Sequence, residues 1–172
     1  MLTGRGTKSD MAHREIGARL ACTPDIIASS ASIEIDASAE DVFAAVSDIT
    51  RMGEWSPENT GGRWLDDGPA LGARFEGDNR VALGPIPLKT WTTTSEVTVY
   101  EPNTTFAFVA EGYTTWTFDI AENDGGVTLT ESFSYEQYEG FKKLFYDLGG
   151  ARRGSMRKGM EATLAGIKAS LE

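Results

Sequence analysis

The sequence predicts an α+β domain in which a curved, antiparallel, seven-stranded sheet wraps around a long C-terminal helix, with two short helices after the first strand. Three observations predict it. A strand pattern and a helix pattern adjoin near the start, about a hundred residues then alternate apolar and polar side chains between turn signals, and the chain closes with apolar side chains every three or four positions. Because a one-sided apolar sheet must bury that face, the last helix is expected to cover it.

Residues 1–25 are polar and only weakly periodic, so we expect a flexible arm followed by one domain over residues 26–172. The arm lacks the apolar stretch of a secretory signal. The sequence contains no run of about 18 apolar residues, so no membrane span is predicted. Cys22 is the only cysteine, which excludes an intrachain disulfide. These features predict a cytoplasmic protein without stable membrane insertion.

The first strand and the first helix carry clear local signals. "IIASSASIEIDA" alternates apolar and polar residues and puts Ile33 and Ile35 on one face. Ser38 then stands as an N-cap, with Asp41 three residues on in the manner of a capping box. The helical spacing behind it is carried by Val42, Phe43, Val46 and Ile49. One more short turn is expected over residues 51–55, before Pro57.

Turn residues divide the middle of the chain into six further strands. Gly112 and the run Asn123 to Gly126 are expected to form hairpin turns, and the Pro-rich "LGPIPL" a bulge or loop. The strand segments are "GRWLDDG", "LGARFEGDNR", "KTWTTTSEVTVYEP", "NTTFAFVAEG", "YTTWTFDIAEN" and "VTLTESFSY".

The end of the chain has helical periodicity. Met156, Met160, Leu164, Ile167 and Leu171 recur at steps of three and four, which predicts an amphipathic helix of about five turns or more. A preceding apolar stripe consists of Phe141, Leu144, Phe145 and Leu148. The glycine pair at 149–150 between them can kink the helix or restart it.

Alternation along the strands predicts which side chains face the terminal helix. The expected inner face comprises Phe106, Phe108, Trp116, Phe118, Ile120, Val127, Leu129, Phe133 and Tyr135, together with Trp91, Thr93, Ser95, Val97 and Val99. Glu131 shares this phase, although a register slip would turn it outward, and the sequence leaves the two orientations open. An inward carboxyl needs a partner, the cavity mouth, or a proton. If Glu131 points inward, it is the first candidate for orienting a ligand or moving a proton.

Composition excludes several function classes. His13 is the only histidine and lies in the arm, so histidine-based triads and zinc sites have no building blocks in the domain. The net charge of −10 makes nucleic acid a poor partner. A basic cluster around Arg152 and Arg153 is read as a solvated helix face, with a protein-docking role as the alternative. No metal and no cofactor are expected.

Several segments together resemble the START-like, helix-grip (SRPBCC) superfamily, and more closely its polyketide cyclase/dehydrase and lipid-transport branch. They are "IEIDASAEDVFAAVSDI", "MGEWSPE" with "GGRW", "GARFEGDN", "KTWTTTSEVTVYEP", "FAF" and the terminal amphipathic helix. The resemblance covers residues 28–172 and implies a deep apolar cavity between sheet and helix, used for lipids, hormones, polyketides or pigments. In its enzymes, cavity carboxylates, Arg, Tyr and waters position a poly-keto chain for closure and dehydration.

Two functions follow from this interpretation. The first is binding of a hydrophobic or aromatic small molecule, lipid or polyketide-like, by a monomer or homodimer. The second is a cyclase or dehydratase using Glu131 and Tyr135, with Arg74 or Arg80. Trp55 and Trp64 would flank the cavity lip, or else cap the outer end of the core. The expected ligand-binding residues are Trp55, Asn59, Trp64, Phe75, Trp91, Phe106, Phe108, Trp116, Phe118, Glu131, Phe133, Tyr135, Phe145 and Met160.

Overall fold

A computed structural model describes residues 25–83, 86–136 and 151–172. The described residues form seven strands and two α-helices, with one turn of 3-10 helix between the first helix and the second strand. In chain order they are β1 (Ile26–Ile35), α1 (Ala39–Ser47), the 3-10 helix (Met52–Glu54), β2 (Asn59–Trp64), β3 (Arg74–Leu83), β4 (Ile86–Glu101), β5 (Thr105–Ala110), β6 (Thr114–Asn123), β7 (Gly126–Glu136) and α2 (Ala151–Leu171). The predicted arm up to residue 24, the stripe from Phe141 to Leu148, including Phe145, and the glycine pair at 149–150 lie outside the described residues.

All seven strands belong to one antiparallel sheet in the order β1-β7-β6-β5-β4-β3-β2. Strands β2 to β7 follow one another as a meander, and β1 closes the order by pairing with β7. Both α-helices contact this sheet, α2 against β1 and β7 and α1 against β5 to β7. The predicted α+β architecture of a sheet gripping a terminal helix is confirmed.

The predicted N-cap, Ser38, opens α1, whereas Asp41 accepts from the Ser38 hydroxyl rather than from its backbone N–H, so only the N-cap half of the predicted capping box forms. The backbone N–H of Asp41 donates to Ser38 Oγ at 3.1 Å, and the Ser38 hydroxyl donates to Asp41 Oδ2 at 2.6 Å. The cap satisfies a backbone donor that the first turn leaves without an intrahelical acceptor, and the two acidic residues of that turn complement the helix dipole. The apolar face behind it, including Val42 and Val46, is fully buried.

Two glycines let neighbouring elements approach closely. A Cβ on Gly53, in the 3-10 helix, would lie 2.4 Å from the carbonyl carbon of Thr60, so this turn rests directly on β2. A Cβ on Gly166 of α2 would lie 3.1 Å from both Cα and Cβ of Trp55. The 3-10 helix therefore sits between the edge of the sheet and α2, with backbone contacts on both sides.

A bulge in β4 changes which side chains face inward. The pairing of β4 with β5 shifts between Val97 and Val99, so that Val97 lies opposite Phe108 and Tyr100 lies opposite Phe106. The prediction that Val99 lies on the inner face is wrong, because the shift reverses the alternation after Val97. Tyr100 takes the inward position, with its ring edge-on to Phe43 of α1 at 5.2 Å.

The "LGPIPL" segment is mostly strand rather than loop. β3 reaches Leu83 and β4 begins at Ile86, with Leu83 paired to Ile86. A register shift between Val81 and Ala82 supplies the expected bulge. The β3–β4 hairpin consequently extends well past the rest of the sheet.

Candidate functional site

The inner, concave face of the sheet is lined by aromatic side chains in cross-strand register, as the alternation predicted. The pairs are Phe106 with Phe118, Phe108 with Trp116, Trp116 with Phe133, Phe118 with Glu131, and Phe75 with Ser95. Directly paired residues of adjacent strands share a face, so these side chains form one continuous surface. Glu131 belongs to it, which settles the orientation that the sequence left open.

Burial divides this surface into a packed part and an accessible part. Phe106 and Phe118 are 0% and 2% exposed and belong to the hydrophobic core with Met160 of α2. Phe108, Trp116 and Trp64 are only partly buried, although they pack against the same core. Part of the aromatic wall is therefore open to solvent, and we call Trp64, Phe108 and Trp116 the accessible rings.

Glu131 is an acidic side chain within the apolar core. It is 6% exposed, and its Oε2 atom is buried without a hydrogen-bond partner among the described residues. Its cross-strand neighbours are Ala31 and Phe118, and its same-face neighbours along β7 are Leu129 and Phe133, so no described neighbour on the sheet offers a charge or a donor. Burial raises the pKa of Glu131 from 4.5 to about 8, which makes the carboxyl predominantly protonated at neutral pH.

Aromatic contacts run along the wall from β2 to β5. Trp64 meets Phe75 edge-on at 5.3 Å between ring centroids, and Phe75 meets Phe108 edge-on at 5.1 Å. Such edge-to-face pairs fix ring orientations beyond the effect of burial alone. The accessible rings Trp64 and Phe108 are thus held in place by the buried ring of Phe75 between them.

A second aromatic group lies on β6 and β7. The ring of Phe133 stacks on Tyr135 at 6.0 Å and an interplanar angle of 13°, and it tilts against Trp116 at 5.4 Å. Tyr135 is also 5.7 Å from the ring of Tyr113, whose hydroxyl donates to the Glu136 carbonyl. Glu131 lies two residues before Phe133 on the same face, so the buried carboxyl and the ring stack adjoin.

Polar side chains cluster on the concave face of β2 to β4. Asn79 donates from Nδ2 to Thr93 Oγ1 at 3.2 Å and to the Gly77 carbonyl at 3.0 Å, and Asn59 Nδ2 lies 3.5 Å from Asn79 Oδ1. All three side chains are half-buried. Trp91, opposite Asn79, carries Lys89 Nζ 5.1 Å above its ring. This amide cluster offers donors and acceptors at one end of the aromatic wall.

Three other residues considered for the site lie away from the accessible part of the concave face. Trp55 is 8% exposed, packs against Gly166 and has Arg51 5.1 Å above its ring, which is the core-capping arrangement. Arg74 forms an ion pair with Asp66 at 3.1 Å. Arg74 and Arg80 occupy alternate positions to Phe75 and Asn79 on β3 and so point to the convex side. The expectation that either arginine acts beside Glu131 is wrong.

Sequence reasoning missed Tyr100 and Asn79 on the concave face. Tyr100 was hidden by the bulge, which no turn residue announces in "TSEVTVYE". Asn79 stands in phase with Phe75 along β3 and could have been found by extending that alternation.

One surface pocket of about 440 Å³ lies elsewhere, at the β6–β7 turn and the end of α2. It is lined mostly by polar and charged residues, including Asn123 and Asp124. Lys168 there is already engaged, since Nζ donates to the Glu34 carbonyl at 2.6 Å and pairs with Glu172 at 2.8 Å. This pocket is at the opposite end of β7 from Tyr135 and is separate from the concave face.

Within the described parts of the chain, no three histidine, cysteine or acidic residues come together as a metal site. No helix among residues 25–83, 86–136 and 151–172 is both long and apolar enough to cross a membrane.

The order of the strands, the meander and the terminal helix held by the sheet define a START-like, helix-grip domain of the SRPBCC type. The chain belongs to the family described as polyketide cyclase / dehydrase and lipid transport, whose model matches residues 27–172.

One solved structure supports this membership, and two further ones share the fold. The Polyketide_cyc-like protein Cgl2372 from Corynebacterium glutamicum is 35% identical over 87% of this chain and 93% of its own, with a TM-score of 0.58. The di-domain aromatase/cyclase BexL from the BE-7585A biosynthetic pathway is 20% identical over 86% of this chain and 50% of its own, with a TM-score of 0.65. The Zhui aromatase/cyclase from a Streptomyces species is 12% identical over 86% and 94%, with a TM-score of 0.63. These last two show the fold alone. Comparison with curated proteins gave no match.

Proposed function

We propose that the protein binds an apolar or aromatic small molecule, of lipid or polyketide-like chemistry, between the concave face of the sheet and α2. The observation that carries the proposal is the buried Glu131 Oε2 atom, which has no hydrogen-bond partner among the described residues. An unsatisfied buried polar group costs about 1–3 kcal/mol, so a retained one calls for an explanation. A ligand that supplies the missing partner would recover that cost.

The properties of the wall define the ligand chemistry. The accessible rings Trp64, Phe108 and Trp116 favour planar or apolar groups, which gain about 25 cal/mol for each Å² of apolar surface removed from water. A protonated Glu131 donates a hydrogen bond, so it fits an acceptor such as a ketone or ester carbonyl rather than an ammonium group. The proposed ligand is therefore a neutral or anionic apolar molecule that carries a carbonyl oxygen.

The packed part of the wall and the amide cluster have supporting roles in this proposal. Phe106, Phe118 and Met160 would form the floor of the site together with Glu131, which is buried almost as deeply. Asn59, Asn79 and Thr93 would meet polar substituents at the other end of the ligand. We also expect a monomer or homodimer without nucleic acid, in keeping with the net charge of −10.

Ligand binding is tested in two ways. Mass spectrometry of an organic extract of the purified protein should find an apolar carbonyl compound. Titration with the neutral, planar dye Nile red should show about tenfold weaker binding for Glu131→Leu, which cannot donate, and a smaller loss for Glu131→Gln, which can. Glu122→Gln, an exposed change on β6, is the matched control. Equal affinity of the wild type and both Glu131 variants would refute the role of this carboxyl.

A second candidate function is cyclisation or dehydration of such a ligand. The observation that favours it is the raised pKa of Glu131, because a carboxyl with a pKa of about 8 can deliver a proton to a carbonyl or a departing hydroxyl at neutral pH. Tyr135 lies four residues after Glu131 on the same face of β7, and it would help to position the reacting carbonyl. Glu131→Gln separates the two functions, since it would abolish water loss from a poly-keto thioester while leaving Nile red binding largely intact.

A further inference from the structure

The tip of the β3–β4 hairpin exposes apolar side chains to solvent. Ile86, Leu88 and Val81 are 62%, 63% and 43% exposed. They are three of the six large apolar side chains that the described residues expose, and all three lie within eight positions of the chain. A single exposed apolar side chain is ordinary, but several large ones close together at one exposed place indicate a binding surface. We call residues 80–83 and 86–90 the hairpin tip.

The charge at the hairpin tip is opposite to that of the whole molecule. Between Asn79 and Trp91 the sequence carries Arg80 and Lys89 and no acidic residue, whereas the chain as a whole has a net charge of −10. Lys89 Nζ lies above the ring of Trp91 at 5.1 Å. Charges further away than about 8–10 Å are largely screened at physiological salt. The nearest acidic residues, Asp78 and Glu58, lie beside Arg80 at the base of the tip, where the Arg80 N–H donates to the Glu58 carbonyl, so Lys89 is the cation that decides what the tip can approach.

The position of the tip relates it to the concave face. Asn79 and Trp91 form a cross-strand pair at the end of the concave face, and four further pairs of β3 and β4 continue beyond it. At about 3.3 Å per residue, the tip projects roughly 13 Å past the amide cluster. A flat surface that meets the tip end-on would therefore lie roughly 13 Å from the amide cluster, on the side of that end of the aromatic wall.

We propose that the hairpin tip docks reversibly on the headgroup region of an anionic lipid bilayer. Apolar side chains with flanking basic residues and a tryptophan are the combination that binds this interface, with the apolar groups in the acyl boundary and the cations at the anionic headgroups. Exposed apolar side chains alone fit a protein partner equally well, but the absence of acidic residues from 79 to 91 favours an anionic surface. The inference goes beyond ligand binding, and it turns the amide-cluster end of the site toward a source of apolar molecules, at a distance of roughly 13 Å.

Vesicle binding tests the proposal. The full chain is sedimented with vesicles of phosphatidylglycerol and phosphatidylcholine, and in parallel with phosphatidylcholine alone. We expect binding to the anionic vesicles that weakens with added salt and falls about tenfold or more for the double variant Ile86→Ser/Leu88→Ser. Lys89→Gln should lower binding to anionic vesicles about fivefold, since one basic residue near the surface contributes about 1 kcal/mol.

Two controls separate this proposal from its alternatives. Leu71→Ser changes an exposed side chain, 69% exposed, in the β2–β3 connection at the other end of β3, and should leave vesicle binding unchanged. Nile red affinity without vesicles should be the same for Ile86→Ser/Leu88→Ser and the wild type, so failure of the ligand site and failure of the docking surface give different results. Absence of wild-type binding to anionic vesicles would overturn the proposal. An equal loss for Leu71→Ser, or a change in oligomeric state alone for the double variant, would also overturn it.

Discussion

Glu131→Gln should remove a pH dependence of folding stability that the wild type shows between about pH 5 and 8. Glu131 is 6% exposed and its pKa rises from 4.5 to about 8 because burial disfavours the carboxylate. Between these two values the folded protein holds a proton that the unfolded chain releases. Rising pH therefore favours unfolding, so this contribution to stability is fully present below about pH 4.5 and is lost as pH rises through about 8.

The magnitude follows from the two pKa values. At about 1.4 kcal/mol per pH unit, the interval from 4.5 to about 8 corresponds to a total of about 5 kcal/mol. Between pH 5 and 8 the wild type should lose about 3 to 4 kcal/mol of its free energy of unfolding through this group. The glutamine side chain does not titrate. Its buried amide therefore changes the free energy of unfolding by an amount that does not vary with pH.

Urea unfolding of both proteins at pH 5, 6, 7 and 8 provides the assay. All other titrating groups are common to the two chains, so the difference between their free energies of unfolding isolates Glu131. This difference should shift by about 3 to 4 kcal/mol in favour of the glutamine variant as pH rises. Glu122→Gln, which makes the same chemical change at an exposed position, is the matched control. Parallel stability curves for Glu131→Gln and the wild type would refute the assignment of a buried, protonated carboxyl.

Further substitutions test the packing. Gly159→Ala should raise the free energy of unfolding by about 0.5–1 kcal/mol, because its Cβ meets no neighbour within 4 Å. Gly166→Ala should instead lower the free energy of unfolding by about 1 kcal/mol or more, because its Cβ would meet the Trp55 backbone at 3.1 Å. Equal stability of the two alanine variants in urea unfolding would contradict this close approach. Phe106→Ala should lower the free energy of unfolding by about 3–5 kcal/mol in the same assay. Trp116→Ala should lower it less and should weaken Nile red binding more. If Trp116→Ala lost more stability and Phe106→Ala lost more dye affinity, the distinction between packed and accessible rings would be refuted. Ser38→Ala should cost about 1 kcal/mol through loss of the cap, and an unchanged thermal midpoint would argue against it.

Local signals in the sequence were sufficient for the elements and their order. Ser38 with Asp41 predicted the start of α1, and the run from Asn123 to Gly126 predicted the β6–β7 hairpin, in which Asn123 pairs with Gly126. These features are readable because the interactions that produce them span only a few residues. Alternation likewise identified most of the concave face, since a strand without a bulge keeps its period of two.

The site itself depended on relations between distant segments. Trp55 and Trp64 stand nine positions apart in similar surroundings, yet Trp55 packs on Gly166 and Trp64 on Phe75, because different elements meet them in space. Because of the β4 bulge, Tyr100 rather than Val99 lies on the inner face. Pairing with β5, and not the local sequence preference, decides where the alternation of β4 is interrupted.

Turn chemistry, capping and periodicity are properties of neighbouring residues, so the α+β class, the seven strands and the amphipathic terminal helix could be predicted from local patterns, whereas the helix-grip assignment came from resemblance to a known family. The inward orientation of Glu131, and the lack of a hydrogen-bond partner for its Oε2 atom among the described residues, could be established only from the packed strands. The surroundings of that carboxyl are supplied by β1, β6 and β7 together, and a local pattern cannot report how completely three separate strands remove a group from water.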